Sequence, residues 1–418
     1  MPDKLLFIES NTTGTGMLAL EKAASWGLEA LFFTNDPERY AGLAETGCEI
    51  IVCDTNNSHS LGELIRQRVK REDICGIVTT SDFYLETVAE LTLTFDLPGN
   101  TKESIRIARH KDLTRRTLAE AGIHQPRFEV ICSLQEVSQA VEKIGLPCIL
   151  KPADDSASND VILVTSVEQA KQHARRILGI GFNTRGQKRE GVILAEEYID
   201  APEFSVEMFT WQGKTTCIGI TQKSLACFPH FVESGHIFPA PIPEKAARQM
   251  KNVVGRALEA VGIQYGATHT ELKWTPEGAA IIEINARLAG GMIPELIRLT
   301  TGVDVLEQQI LCAMGRPTLE DSAAKGVAGI QFLLAEYEGI LEGIEGAKAA
   351  EGLAFVKRLA ITAKAGVRVQ PARNAYHRLG YVIVHSPSYE ETRASLQAAI
   401  DLLRIRITEY EIGGLYHD

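Results

Sequence analysis

The sequence contains no Cys-x-x-Cys pair, no apolar run near membrane-spanning length, no internal repeat and no low-complexity tract. Each absence removes a class of protein. The eight cysteines (48, 53, 75, 132, 148, 217, 227 and 312) have no metal-ligand spacing, which argues against a zinc site or a redox dithiol. Most sit in apolar, strand-like contexts such as EIIVCD and PCILKP, so buried free thiols in a reducing compartment are expected. A bilayer-crossing helix needs about eighteen consecutive apolar residues, and the apolar run near the N-terminus is too short for a secretory signal. A soluble, cytoplasmic protein is expected. Positive charge is also scarce: 43 Lys and Arg face 54 Asp and Glu, a net charge of −11. Nucleic acid and anionic membranes attract basic patches, so neither is an expected partner.

What is present is ordinary globular composition, 45% hydrophobic and 23% charged over 418 residues, enough for several domains. The chain opens as β-loop-α-β: KLLFIES, a turn from Asn11 to Gly16, a helical pattern from Met17 to Trp26, then EALFFTND. Gly14, Gly16 and Ala19 match G-x-G-x-x-A, and the acid Asp36 follows Gly16 by twenty residues. That is the dinucleotide fingerprint in a weak form, since Gly-rich first turns also occur in doubly wound domains that bind no cofactor. Continued alternation (EIIVCD, a helix near 60–71, GIVTTSD, a helix at 83–95) makes the first hundred residues a parallel α/β domain. The Thr79–Asp82 tip reads as an N-cap more readily than as a substrate contact. Pro98-Gly99-Asn100 marks a boundary.

Beyond it, SIRIARHKDLTRRTLAEAG reads as one helix ending at Gly122, with Lys111 on its solvated face. Lys151 ends an apolar strand before a small polar loop, Asp154–Asp160, that carries Ser156 and Ser158. A strand-end lysine and turn N–H groups both complement phosphate, although an ordinary hairpin with an exposed lysine reads the same way. Residues 178–191 (LGIGFNTRGQKREG) have no hydrophobic period and read as a mobile loop. The stretch TQKSLACFPHFVESGHIFPAPIP carries Glu233 and His236; long irregular segments inside compact domains are usually functional. The tail from about residue 326 reads as a separate small unit without a reaction centre.

The most informative stretch is Gly266–Glu295, GATHTELKWTPEGAAIIEINARLAGGMIPE. Two strand-like runs flank Thr275-Pro-Glu-Gly278, a hairpin turn with Pro and Gly at suitable positions. A three-residue loop (Pro276–Gly278) pairs Thr275 with Ala279 and sets Glu271 opposite Glu283 and His269 opposite Asn285. All four then project from one face, while Thr270, Leu272, Trp274, Ala280, Ile282 and Ile284 form the mostly apolar other face. Facing carboxylates repel, so their presence beside an amide points to a hard cation such as Mg2+, which takes one or two carboxylates plus substrate phosphates. The alternative is a solvated outer face.

In this order and spacing, the landmarks resemble the ATP-grasp superfamily of carboxylate–amine ligases over about residues 100–315. The resemblance implies an α/β and α+β architecture: an N-terminal parallel α/β domain (1–98), a lid and linker region (99–203), a catalytic domain (204–325) and a C-terminal α+β subdomain (326–418). The run EEYIDAPEFSV looks like the adenine-binding connector of D-alanine–D-alanine ligases. Carried over, Glu196 meets the adenine amino group, the backbone of Glu197 and Ile199 its ring edge, and Glu203 the ribose. Lys111 and Lys151 fall where the family has its phosphate-contacting lysines, and Glu271, Glu283 and Asn285 match its Mg2+ ligands, with Mn2+ as a substitute. The loop with Ser156 and Ser158 departs from the family's glycine-rich phosphate loop, having no glycine and three aspartates. FVESGHIFPA with IIEINARLAGG is most similar to L-amino acid ligases of the bacilysin type and to carnosine synthase. That implies His236 and Arg287 at the acyl centre, as catalytic or substrate-binding groups, and an amino acid pocket shaped by Glu233, Gly290 and Gly291; a homodimer is expected.

The expected reaction joins the carboxylate of one amino acid to the amine of another through an acyl phosphate, releasing ADP and phosphate, as in making a dipeptide or a peptide-antibiotic building block. Three rivals stay open. One is an NAD(P)-dependent oxidoreductase using Gly14, Gly16 and Asp36. The others are a non-catalytic ATP-binding protein and a ligase of the same superfamily acting on a purine precursor or bicarbonate.

Overall fold

The computed structural model describes residues 3–12, 15–319 and 323–409. Its first sheet is parallel, from strands β1 (Lys4–Ile8), β2 (Glu29–Thr34), β3 (Glu49–Val52) and β4 (Ile74–Val78) in the order β3-β2-β1-β4. Helix α1 (Gly16–Ser25) crosses from β1 to β2; α2 (Ser58–Arg68) and α3 (Leu85–Thr94) complete the domain. Buried β-strands read as unbroken apolar runs, and four of the five β1 residues are buried.

The expected single helix after the boundary is two, α4 (Lys102–Arg109) and α5 (Lys111–Glu120). His110 between them is extended, with φ −91° and ψ 106°. The break turns Lys111 inward: it is buried at the start of α5, not on a solvated face. A second sheet follows, antiparallel, from β5 (Phe128–Ile131), β6 (Cys148–Pro152), β7 (Ile162–Val164) and β8 (Ile193–Glu197) in the order β5-β8-β6-β7. Helices α6 (Val137–Ile144) and α7 (Val167–Leu178) bury Val137, Val141, Ala170 and Ala174 against it.

The segment between α7 and β8, expected to be mobile, is docked onto the N-terminal domain. Arg185 donates from Nη1 to Tyr40 Oη (3.0 Å) and from Nη2 to the Ser10 carbonyl (3.1 Å). Gln187 Nε2 donates to the Phe83 carbonyl at 2.9 Å. Behind the socket, buried Glu9 accepts from Tyr40 Oη (2.5 Å) and Thr55 Oγ1 (2.6 Å). Absence of a hydrophobic period does not reveal such a segment, because polar groups hold it.

The third sheet is the scaffold of the site. It takes β9 (Glu203–Trp211), β10 (Lys214–Ala226), β11 (Val232–Phe238), β12 (Tyr265–Thr275) and β13 (Gly278–Asn285), then three strands of the tail: β14 (Val327–Leu333), β16 (Val356–Ile361) and β18 (Gly380–Ser386). Strand order is β13-β12-β9-β10-β11-β14-β18-β16. Three strands of the tail thus continue the sheet that holds the hairpin. The tail's other strands, β15 (Gly339–Glu345), β17 (Arg368–Val369) and β19 (Arg404–Glu409), make a small sheet in the order β17-β15-β19.

Alternation sorts the large sheet into two faces. Phe204, Val206, Met208, Ile220, Leu272, Ile281 and Ile284 pack against Met250, Val254 and Leu258 of helix α8 (Glu244–Val261). Each such buried side chain contributes about 1.5–3 kcal/mol. The opposite face carries Glu203, Glu207, Lys223, His269 and Glu271. Helices α9 (Ile293–Thr301) and α10 (Val305–Ala313) join the large sheet to the parallel one, in a core that holds Phe7 and Phe32 together with Leu296, Ile310, Ile330 and Phe332.

Candidate active site

The hairpin β12–β13 reaches the expected pairing by a different route. Glu271 lies opposite Glu283 and His269 opposite Asn285, but Thr275 pairs with Gly278, not Ala279. The loop outside the ladder is thus two residues, and a bulge beside Glu271 restores the register. Gly278 has φ 114°, a conformation that favours glycine. The bulge also exchanges two isoleucines: Ile281 enters the core behind the sheet, whereas Ile282, expected there, lines the cavity in front.

That cavity has a volume of about 1050 Å3 and draws on all parts of the fold. Such a volume suits a ligand of nucleotide size. Glu271, Glu283, Asn285, Arg287, Gly290 and Gly291 line it together with Lys111, Lys151, Ser156, Ser158, Glu196, Glu197, Ile199, Glu203 and Glu233. His236 is the exception. It is buried behind the Gly291 turn, where a Cβ on Gly291 would meet His236 Nε2 at 2.6 Å, and it does not line the cavity. Neither ring nitrogen has a hydrogen-bond partner, Phe332 packs edge-on to the ring, and burial pushes its pKa down to about 4. The imidazole packs against the Gly291 turn, with Nε2 3.6 Å from Oε2 of the cavity-lining Glu233.

Sequence reading misses the residue at the centre. Lys223 on β10 is buried, with Nζ 2.5 Å from Glu233 Oε1, 2.7 Å from Glu271 Oε1 and 3.4 Å from Glu203 Oε1. Burial lowers its proton affinity, but the three carboxylates outweigh it and hold the ammonium charged well beyond the usual range. Its signal was available only through pairing: β10 sets Lys223 directly opposite Glu203. His269 sits beside them, between Glu207 (3.0 Å from Nδ1) and Glu271 (3.2 Å from Nε2). Burial opposes its protonation, yet these acids raise its pKa to about 9.

Glu196 is fully engaged. Arg115 Nε donates to it at 2.7 Å and Lys151 Nζ at 2.6 Å, and Arg115 also donates to the carbonyls of Ile281 (3.1 Å) and Ile282 (2.6 Å) on the hairpin. Burial raises the carboxyl's pKa, but the two cations bring it down to about 2. The Lys151 ammonium moves down as well, because burial and the neighbouring Arg115 outweigh Glu196. Both oxygens of Glu196 are paired with cations, and the residue still lines the cavity where the adenine contact was expected.

Lys111 Nζ donates to the Asp155 carbonyl (2.6 Å) and lies 3.3 Å from Glu283 Oε1. The aspartates of the glycine-free loop turn toward cations: Asp154 and Asp155 toward Arg189, at 3.3 and 3.4 Å, and Asp160 toward Arg176 at 2.9 Å. Arg287 Nε donates to Asp82 at 2.7 Å; Asp82 serves the cavity, and the cap before the turn Asp82–Tyr84 makes no side-chain hydrogen bond.

Glu271, Glu283 and the Asn285 amide offer oxygen donors on one hairpin, the chemistry a hard cation requires. Among the described residues no three Asp, Glu, His or Cys side chains form a ready-made metal cluster, so further ligands must come from elsewhere, as they do where phosphates complete the shell. The nicotinamide alternative draws less support. Gly14 lies outside the described residues, Gly16 lines the cavity, and Asp36 does not.

An ATP-grasp domain matches residues 144–295, and the L-amino acid ligase C-terminal domain 2 matches residues 331–408. The chain thus carries an ATP-grasp domain. The uncharacterized protein y4rH of Sinorhizobium fredii is 29% identical over 97% of this ATP-grasp chain and 84% of its own length. Alanine–anticapsin ligase of Bacillus subtilis is 28% identical over 60% of the chain and 57% of its own length, so the match spans little more than half of that relative. An L-amino acid ligase structure from Bacillus licheniformis superposes with a TM-score of 0.81 at 23% identity, covering 98% of this chain and all of that one (100%), which shows the shared fold. No described helix of this ATP-grasp protein is long and apolar enough to cross a membrane.

Proposed function

We propose that this ATP-grasp chain joins the carboxylate of one amino acid to the amine of another at the expense of ATP. The observation that carries the reading is the meeting of facing carboxylates, Glu271 and Glu283, with Lys111, Lys151, Lys223 and Arg287 around one cavity. ADP and phosphate are expected beside the amide product. In the first step a substrate carboxylate oxygen attacks the γ-phosphorus of ATP, the bond to the β,γ-bridging oxygen breaks, and ADP leaves. In the second the amine nitrogen attacks the acyl phosphate's carbonyl carbon, gives up one proton, and the carbon–oxygen bond to phosphate breaks.

Lys111 and Lys151 hold phosphate oxygens, with the backbone N–H groups of the loop that carries Ser156 and Ser158. The loop's aspartates face arginines, which lessens their repulsion of an anion. The connector Glu197–Ile199 receives the adenine edge, and Glu203 the ribose. Glu271, Glu283 and Asn285 would hold Mg2+, or Mn2+ in its place, and such an ion neutralises charge on phosphate oxygens. Arg287, fixed by Asp82, stabilises the oxyanion that forms on the carbonyl; losing such a donor costs about 100- to 1,000-fold in kcat. Glu233, Gly290 and Gly291 bound the amino acid pocket, with His236 supporting the turn from behind. A dipeptide or a peptide-antibiotic building block is the product class, and the working assembly is a homodimer in the cytoplasm.

The test is ADP and phosphate release that requires an amino acid pair, with mass spectrometry of the product. Glu283→Ala should abolish it while the variant stays folded by circular dichroism. An ATPase rate indifferent to that substitution removes the metal assignment, and no turnover across amino acid pairs leaves a non-catalytic ATP-binding protein.

A further inference from the structure

The tail contributes a lobe of the cavity lined by three arginines. Arg358, Arg368, His377 and Arg378 line it, and among the described residues the tail adds no Asp or Glu to the lining. The best-placed cation is Arg378, just before strand β18. Its Nη2 donates to Glu233 at both the carbonyl (3.0 Å) and Oε2 (3.0 Å), and its guanidinium stacks 3.7 Å over the Phe332 ring. Neither Nε nor Nη1 has a hydrogen-bond partner among the described residues; Nε is buried in that condition. A guanidinium clamped at Nη2, held flat on a ring and left with Nη1 unspent can give a carboxylate one charge-assisted hydrogen bond. Glu233, which Arg378 clamps, is also held by Lys223 at the hairpin end of the cavity.

We infer that Arg378 binds the α-carboxylate of the second, amine-donating amino acid, so that the tail forms the acceptor subsite. Arg378 is then a specificity residue: it selects acceptors that carry a carboxylate beside the amine. The inference rests on the ligase reading above, and the experiment separates the two. First, wild-type protein is given ATP, Mg2+ and each proteinogenic L-amino acid in turn, with hydroxylamine as the acceptor. A hydroxamate from any of them establishes acyl activation without involving Arg378; none from any of them overturns the ligase reading, and this one falls with it.

With a donor in hand, L-alanine and L-phenylalanine are compared as acceptors with L-alaninamide and L-phenylalaninamide. The wild-type protein should favour the acid over the amide by about 10- to 100-fold in kcat/KM, the scale of one charge-assisted contact. Arg378→Met should collapse that preference toward one by raising KM for the acids, and Arg378→Lys should recover part of it. Equal use of acids and amides by the wild-type protein overturns the assignment, and that arm needs no variant to fold. So does an Arg378→Met protein that slows with both acceptors in parallel and keeps the preference, which is the behaviour of a purely structural residue.

Discussion

Two buried charge clusters border the cavity, and they are built with the signs exchanged. On the hairpin side one ammonium, Lys223, serves Glu203, Glu233 and Glu271. On the lid side one carboxylate, Glu196, serves Arg115 and Lys151. In each the central charge keeps like charges together out of water, where unpaired ions are costly. The difference lies in what remains to be satisfied. Acids in excess suit a cation on the hairpin wall, and cations in excess suit an anion on the lid wall, which is the polarity a metal–phosphate ligand needs.

Removing a centre breaks the comparison most directly. Lys223→Met should lower stability by about 3–5 kcal/mol in denaturant titrations near neutral pH, the usual cost of stripping a partner from buried charge. The sign with pH is diagnostic. Three carboxylates left to repel each other take up protons more readily folded than unfolded, so the variant should regain stability as pH falls toward 5. Continued loss on acidification would mean the acids relax into solvent, and the cluster is not the rigid unit described.

Glu196 gives a smaller effect of opposite sign. Its carboxyl titrates at about 2, below the ordinary 4.5, because Arg115 and Lys151 outweigh burial. A depressed carboxyl contributes stability above its unfolded value and loses it as pH falls through the folded one. Wild-type protein should therefore lose at most about 3 kcal/mol from this group between roughly pH 4.5 and pH 2. In Glu196→Gln that part of the acid slope should vanish, and an unchanged slope would place the titration elsewhere.

How much of this was legible in the sequence follows from what kind of signal each part emits. The hairpin announced itself because alternation and turn chemistry are local: Glu271 and Glu283 could be set face to face from spacing alone. The bulge that rescued the register emits no such signal, so the three-residue loop and the placing of Ile282 were misjudged. Lys223 and Arg115 are silent singly; each acquires meaning only when non-neighbouring strands or helices bring acids to it. His236 is the converse case, since a motif gives proximity in sequence but not which side of a turn a ring occupies. Arg378 gives no local signal either, because only the pairing of three tail strands with the central sheet brings it to Glu233.

The smallest effect concerns the loop that joins the lid wall to the phosphate question. Ala157, Ser158 and Asp160 all hold positive φ, at 59°, 56° and 55°, where glycine is usual. For an L-residue that region costs about 1–2 kcal/mol, while glycine returns about 0.5–1 kcal/mol of that through the freedom it adds to the unfolded chain. Ala157→Gly should thus stabilise the protein by only about 0.5–1 kcal/mol. A stiff loop whose N–H groups are already aimed would lose part of its order, so KM for ATP should rise a few-fold in the same variant. If stability rises and KM is unmoved, strain at Ala157 has no part in holding phosphate, and the cation-rich lid wall would bind it through Lys111 and Lys151 alone.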